Sequence, residues 1–99
     1  MKKPKLTFTA FARWFKGQKG NPEYDYCSNG DCLMARFIKS QGFVDFSVVP
    51  GAVRVGSKRF PFTKKIEMVS HNRPWTYRAA RGRLRRVERG EHIELVDVE

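Results

Sequence analysis

Ninety-nine residues are enough for one domain: a chain of this length buries roughly 60–65% of its unfolded surface, so it builds one modest core and has no room for a second. Hydrophobic residues make up 40% of it and thirteen are aromatic, which excludes wholesale disorder. Twenty Lys and Arg against ten Asp and Glu give a net charge of +10, a field that attracts polyanions: nucleic acid, acidic protein surfaces or anionic lipid.

Residues 1–5 read as a flexible basic N-terminus, and residues 1–20 carry Lys2, Lys3, Lys5, Arg13, Lys16 and Lys19 without a single acid. MKKPKL imitates the start of a signal peptide, but Arg13 and Lys16 interrupt the apolar run that a signal peptide requires. No apolar stretch approaches the ~20 residues of a membrane span. Two cysteines make no disulfide framework, so the expected setting is the cytoplasm, with thiols reduced. LTFTAFARWFKGQKG predicts a first helix, capped by Thr7, with Phe8, Phe11, Ala12 and Phe15 on one face and Trp14 at its edge; Gly17 to Gly20 end it.

NPEYDY comes next as a loop or short extended piece, then an Asn29-Gly30 turn between Cys27 and Cys32. CLMARFIKSQG predicts a second helix burying Leu33, Met34, Phe37 and Ile38, with Asp31 placed to cap it and Gly42 where a left-handed residue belongs. FVDFSVV alternates, setting Val44, Phe46 and Val48 on one side; Pro50-Gly51 breaks it, and AVRV gives a second strand before the Gly56-Ser57 turn. TKKIEMVSH reads as a short helix capped by Thr63, with Ile66 and Val69 inward. NRPWTYRAARGRLRRVERG is the third substantial helix, starting between Asn72 and Thr76. The acidic end, residues 91–99, alternates around Ile93 and Leu95 as a strand or tail. The expected class is α+β, a single small domain of about three main helices on a short β-hairpin or small antiparallel sheet.

Cys27 and Cys32 supply two metal ligands where a structural zinc site needs four, and His71 and His92 fall in no zinc-finger spacing. The thiols are not in the Cys-x-x-Cys arrangement of redox pairs. The expectation is no metal and no cofactor, with Cys32 as a small buried residue at a helix start. GAVRVGSK nearly spells a phosphate loop, yet Ser57 precedes Lys58, the middle residues read as a strand and no helix comes directly after. No nucleophile, base and orienting group fall together, so an enzyme is not expected.

The strongest chemical signal lies in the third helix. Tyr77, Ala80, Leu84 and Val87 form its apolar side, while Arg78, Arg81, Arg85 and Arg89 form a contiguous stripe flanked by Ala79 and Gly82. Residues 71–90 hold seven arginines against Glu88 alone, where solvated faces ordinarily mix signs. Arginine suits bidentate phosphate or carboxylate contact. The candidate binding residues are therefore Arg78, Arg81, Arg85, Arg89, Lys2, Lys3 and Lys5, with Trp75 among the aromatics (Trp14, Tyr24, Trp75) that would serve a protein interface.

Phe8, Phe11 and Trp14, then Tyr24 and Tyr26, then Cys32, Ala35 and Phe37, and finally Pro74 and Thr76 opening a helix with Arg83 and Leu84 form an ordered pattern over most of the chain. It resembles a set of small phage and prophage proteins, which implies a phage-type accessory protein and identifies no activity. The set has one cysteine, matching Cys32. The leading expectation is a non-enzymatic binder of nucleic acid or a nucleoprotein complex. The alternative is a protein-directed inhibitor of a host system, anti-defence or anti-CRISPR-like, gripping an acidic host protein.

Overall fold

Helix α1 (Phe8–Lys16) starts where the Thr7 hydroxyl accepts from the Ala10 N–H at 3.2 Å, and it buries Phe11, Ala12 and Phe15. The computed structural model describes residues 3–24, 32–49 and 51–94. Expectations that fall on Lys2, Tyr26, Cys27, the Asn29-Gly30 turn, Asp31, Pro50 and residues 95–99 lie outside them.

Helix α2 (Leu33–Ser40) is capped by Cys32, whose Sγ accepts from the Ala35 N–H at 3.3 Å. Cys32 is the extended residue from which the helix springs, so the cap sits one position later than the Asp31 expected from residue preference alone. Gly42 takes φ 92° just past the helix, the left-handed stop that its position predicts.

Strands β1 (Phe46–Val49), β2 (Ala52–Val55) and β3 (Lys58–Pro61) form an antiparallel sheet in the order β1-β2-β3. Val48, Val53 and Phe60 stand in one cross-strand row and pack on the core; Ser47, Arg54 and Arg59 stand in the next and face out. Two expectations change here. Val44 is 93% exposed, because strand pairing begins only at Phe46 opposite Val55 and the alternation does not extend back to it. KRFP, to which the sequence assigned no element, is a third strand: it carries one apolar side chain, Phe60, at the core side, too little for a period to show.

Helices α3 (Lys64–Ser70) and α4 (Tyr77–Glu88) start at Thr63 and Thr76, each hydroxyl accepting from the backbone N–H three residues on. The result is an α+β domain of four helices and a three-stranded sheet, as expected in class, with one strand more than a hairpin. α1 packs against α2, α3 and α4, and β1 lies against α2. Phe11 meets Phe37 edge-on at 5.4 Å and Phe15 meets Tyr77 edge-on at 5.2 Å, which locks the α1 stripe between α2 and α4. Among the described residues no helix is long and apolar enough to cross a membrane.

Phe11 and Phe37 are 0% and 2% exposed, so Phe11→Ala or Phe37→Ala is expected to cost ~3–5 kcal/mol in a denaturant melt. Val44→Thr, on the exposed side of the same fold, is expected to stay within about 0.5 kcal/mol of the parent.

Candidate functional site

The backbone ends around α4 are saturated, which decides what this helix can still bind. Its first three N–H groups have partners: the Tyr77 N–H donates to the Pro22 carbonyl at 3.0 Å, Arg78 to Asn21 Oδ1 at 2.9 Å, and Ala79 to the Thr76 hydroxyl at 3.2 Å. The Tyr24 N–H adds a bond to the Trp75 carbonyl at 3.0 Å, within an antiparallel bridge between Glu23 and Thr76. The N-terminus of α4 is thus no anion site. Any anion must be held by side chains.

The C-terminal end of α3 is closed in the same way, but by side chains from three segments. The Asn72 amide donates to the Met68 carbonyl, Arg83 Nε to Val69 at 2.8 Å, the Tyr24 hydroxyl to Ser70 at 2.9 Å, and the Trp75 indole to His71 at 3.4 Å. Arg83 further donates through Nη1 to the Pro74 carbonyl at 3.2 Å and through Nη2 to the Tyr24 hydroxyl at 3.0 Å. It is only 7% exposed. A guanidinium survives there because it sits at the negative end of a helix and its three nitrogens all have acceptors. Burial pushes its pKa down, opposed by Tyr24, and burial pushes the Tyr24 phenol up to about 12, with Arg83 opposing.

The four stripe arginines separate by role. Arg78 and Arg85 are exposed and their side chains make no hydrogen bond or ion pair among the described residues. Arg81, expected to be exposed, is half-buried. Its Nη2 donates to the Gln18 carbonyl at 2.9 Å and its guanidinium lies 5.8 Å from the Tyr77 ring and 5.9 Å from Phe15, because its place on the wheel abuts α1. Arg89 is exposed but tied to Glu91 at 2.8 Å, and with Arg86 it holds the Glu91 carboxyl below its ordinary range by hydrogen bonding. Arg83 was visible in the sequence, yet nothing there separated it from its exposed neighbours.

Lys3 and Lys5 are exposed, and the Lys5 backbone is clasped by the Gln41 amide, which accepts from its N–H at 2.7 Å and donates to its carbonyl at 2.9 Å. Trp75 is half-buried with Arg73 at 5.1 Å over its ring; Tyr24, grouped with it as an interface aromatic, is buried instead. Arg13 lines both grooves flanking α1: one towards α2 with Trp14 and Phe37, the other towards α4 with Lys16 and Glu88. Lys16 and Glu88 pair at 2.6 Å. On the sheet, Arg54 and Arg59 sit directly opposite one another, a like-charge pair that sequence alone could not reveal because β3 was not expected.

Cys32 and Ser70-His71 line one small cavity. Burial pushes the Cys32 thiol up and the His71 imidazole down. The Ser70 hydroxyl lies 2.9 Å from the Ile66 carbonyl, to which it donates, and 2.8 Å from His71 Nδ1. Among the described residues no three His, Cys, Asp or Glu side chains are grouped to hold a metal. In comparisons with protein-family models, curated proteins and solved structures, nothing matches the chain.

Arg83→Lys keeps the charge but loses the fork that reaches three acceptors, so it is expected to cost ~1–3 kcal/mol in denaturant melts. The folded state holds the Tyr24 proton up to about 12, above the phenol's ordinary value of 10.0. The stability this contributes is complete below the unfolded pKa and is lost as pH rises through the folded one. Alkaline melts are therefore expected to show a loss of about 2–3 kcal/mol across that window, absent from Tyr24→Phe.

Proposed function

We propose that this chain is a non-enzymatic, phage-type accessory protein of the host-cell cytoplasm that binds nucleic acid, or a nucleoprotein complex, through a basic face built by α1 and α4. One observation carries the reading: the cations of these helices outnumber what the fold uses. α1, α2 and α4 hold Arg13, Lys16, Arg36, Lys39, Arg78, Arg81, Arg83, Arg85 and Arg86 against Glu88 alone. Arg36 and Arg81 are engaged by Tyr77, Arg83 by the α3 end, and Arg86 by Glu91. Lys16 already occupies Glu88.

Arg13, Arg78 and Arg85 are left without a carboxylate among the described residues. Arg78 and Arg85 are seven residues apart, two turns, so they rise about 10 Å along one side of α4, and Lys3 and Lys5 extend the charge at the chain start. Unpaired, exposed guanidiniums in a row are suited to phosphates, which they grip bidentately and whose counterions they release. A surface kept only for solubility would gain more from mixed signs.

The triple variant Arg13→Ala, Arg78→Ala, Arg85→Ala is expected to fold as the parent does, since none of the three side chains makes a hydrogen bond or ion pair among the described residues. Its affinity should fall, and the log–log salt slope should shrink by roughly 0.9 per lost phosphate contact on duplex DNA or roughly 0.7 on a single strand. A folded triple variant with the parental salt slope would falsify the basic-face reading. A host protein that stays bound to the parent after nuclease treatment, in a complex the triple variant loses, would place the protein-directed alternative ahead.

A further inference from the structure

The groove between α1 and α2 has a volume of about 290 Å³, and its lining joins aromatic rings to cations: Trp14 and Phe37 beside Lys5 and Arg13, with Ala10, Ser40 and Gln41 completing its walls. We infer that it is a subsite for an unpaired nucleobase, so that the nucleic acid this face takes is single-stranded. The inference rests on the nucleic-acid reading above and names which form of nucleic acid it concerns.

Three features select such an occupant. The first is charge. The groove beside α4 contains Glu88 and the one on the outer sheet face contains Asp45, whereas the α1–α2 groove is lined, among the described residues, by two cations and no carboxylate. Neither Lys5 nor Arg13 spends its side-chain charge on a partner among the described residues. A base entering the groove brings its phosphodiester to these cations. An uncharged apolar side chain would desolvate them without return.

The second is rigidity. Trp14 is fixed by Phe37 at 5.3 Å and Phe11 at 6.0 Å, and the wall carrying Lys5 is fixed by the two-way clasp of Gln41 on its backbone. A preformed site loses less freedom on binding. The third is a free donor. The Trp14 indole N–H makes no hydrogen bond among the described residues, and no buried side-chain nitrogen lacks a partner there, so this N–H reaches solvent. Bases carry acceptor edges as well as a π-face, and duplex pairing hides both in the stack.

The test uses the full chain labelled with fluorotryptophan, with the two indole resonances assigned through Trp14→Phe and followed by fluorine NMR. The probes are an oligothymidylate of about ten nucleotides, the same strand annealed to its complement, inorganic phosphate, and an acidic peptide containing phenylalanine. The expected result is a saturable shift of the Trp14 resonance with the single strand, at roughly five-fold or more lower concentration than any response to duplex. Trp14→Ala should weaken single-strand binding roughly five- to hundred-fold. Should that variant fail to fold, Lys5→Glu serves: its side chain is exposed, and it should weaken the single strand more than the duplex.

Single strand and duplex bound equally, with Trp14 unmoved, would overturn the subsite and leave the basic face standing. A Trp14 shift produced equally by inorganic phosphate would overturn base recognition. No binding to either nucleic acid, or a Trp14 shift with the acidic peptide alone, would overturn both readings.

Discussion

The last turn of α3 is the point on which the rest of the structure hangs. A helix that ends inside a small domain leaves carbonyls that water cannot reach, and each must find a donor. Here the donors come from Asn72, Trp75, Arg83 and Tyr24, so the connection to α4, α4 itself and the segment after α1 all converge on residues 68–71. The convergence sets the path of the chain. Tyr24 cannot reach Ser70 unless residues 21–24 run beside residues 75–78, and that pairing in turn closes the N-terminus of α4. Two helix ends are satisfied by one arrangement.

The same shortage of acids shapes interior and surface. With few carboxylates available, the fold holds two inner guanidiniums with a phenol and carbonyls: Arg81 donates to the Gln18 carbonyl, and Arg83 to the Val69 and Pro74 carbonyls and the Tyr24 hydroxyl. These neutral acceptors anchor a cation without cancelling it. The charge of these two arginines therefore adds to the field outside, where Arg13, Arg78 and Arg85 have no carboxylate partner among the described residues.

The helices were legible because their signals are local. Thr7 and Thr63 cap as expected, and Thr76 caps α4 at the late end of its expected start. Phe11, Ala12 and Phe15 of α1 and Leu33, Met34, Phe37 and Ile38 of α2 bury as their spacing predicts, with Phe8 half-buried. β3 was not legible: four residues with one core contact carry no period, and only the register with β2 makes them a strand. Val44 continued an alternation in the sequence that the pairing does not share. Among the arginines, a helical wheel ordered Arg78, Arg81 and Arg85 correctly around α4 but could not tell which edge meets α1, nor that Arg83 on the opposite edge meets the end of α3. The ordered pattern of aromatic, cysteine, proline and threonine positions now has a physical content. Arg83 donates to the Pro74 carbonyl and to the Tyr24 hydroxyl, Thr76 is a cap, and Phe11, Cys32, Ala35, Phe37 and Leu84 are core. Such a pattern encodes how the chain folds.

The seam between residues 21–24 and 75–78 also fixes when the domain can be completed during synthesis. The strand pairs of the sheet join neighbours in sequence, within residues 46–61. The seam joins Asn21 to Arg78 and Tyr24 to Arg83, 57 and 59 positions apart. Elongation proceeds from the N-terminus, and distant contacts form only once both ends exist. Phe15 therefore has no Tyr77 to pack against, and the Tyr24 hydroxyl no Arg83 to accept from, until residues 77–88 have been made.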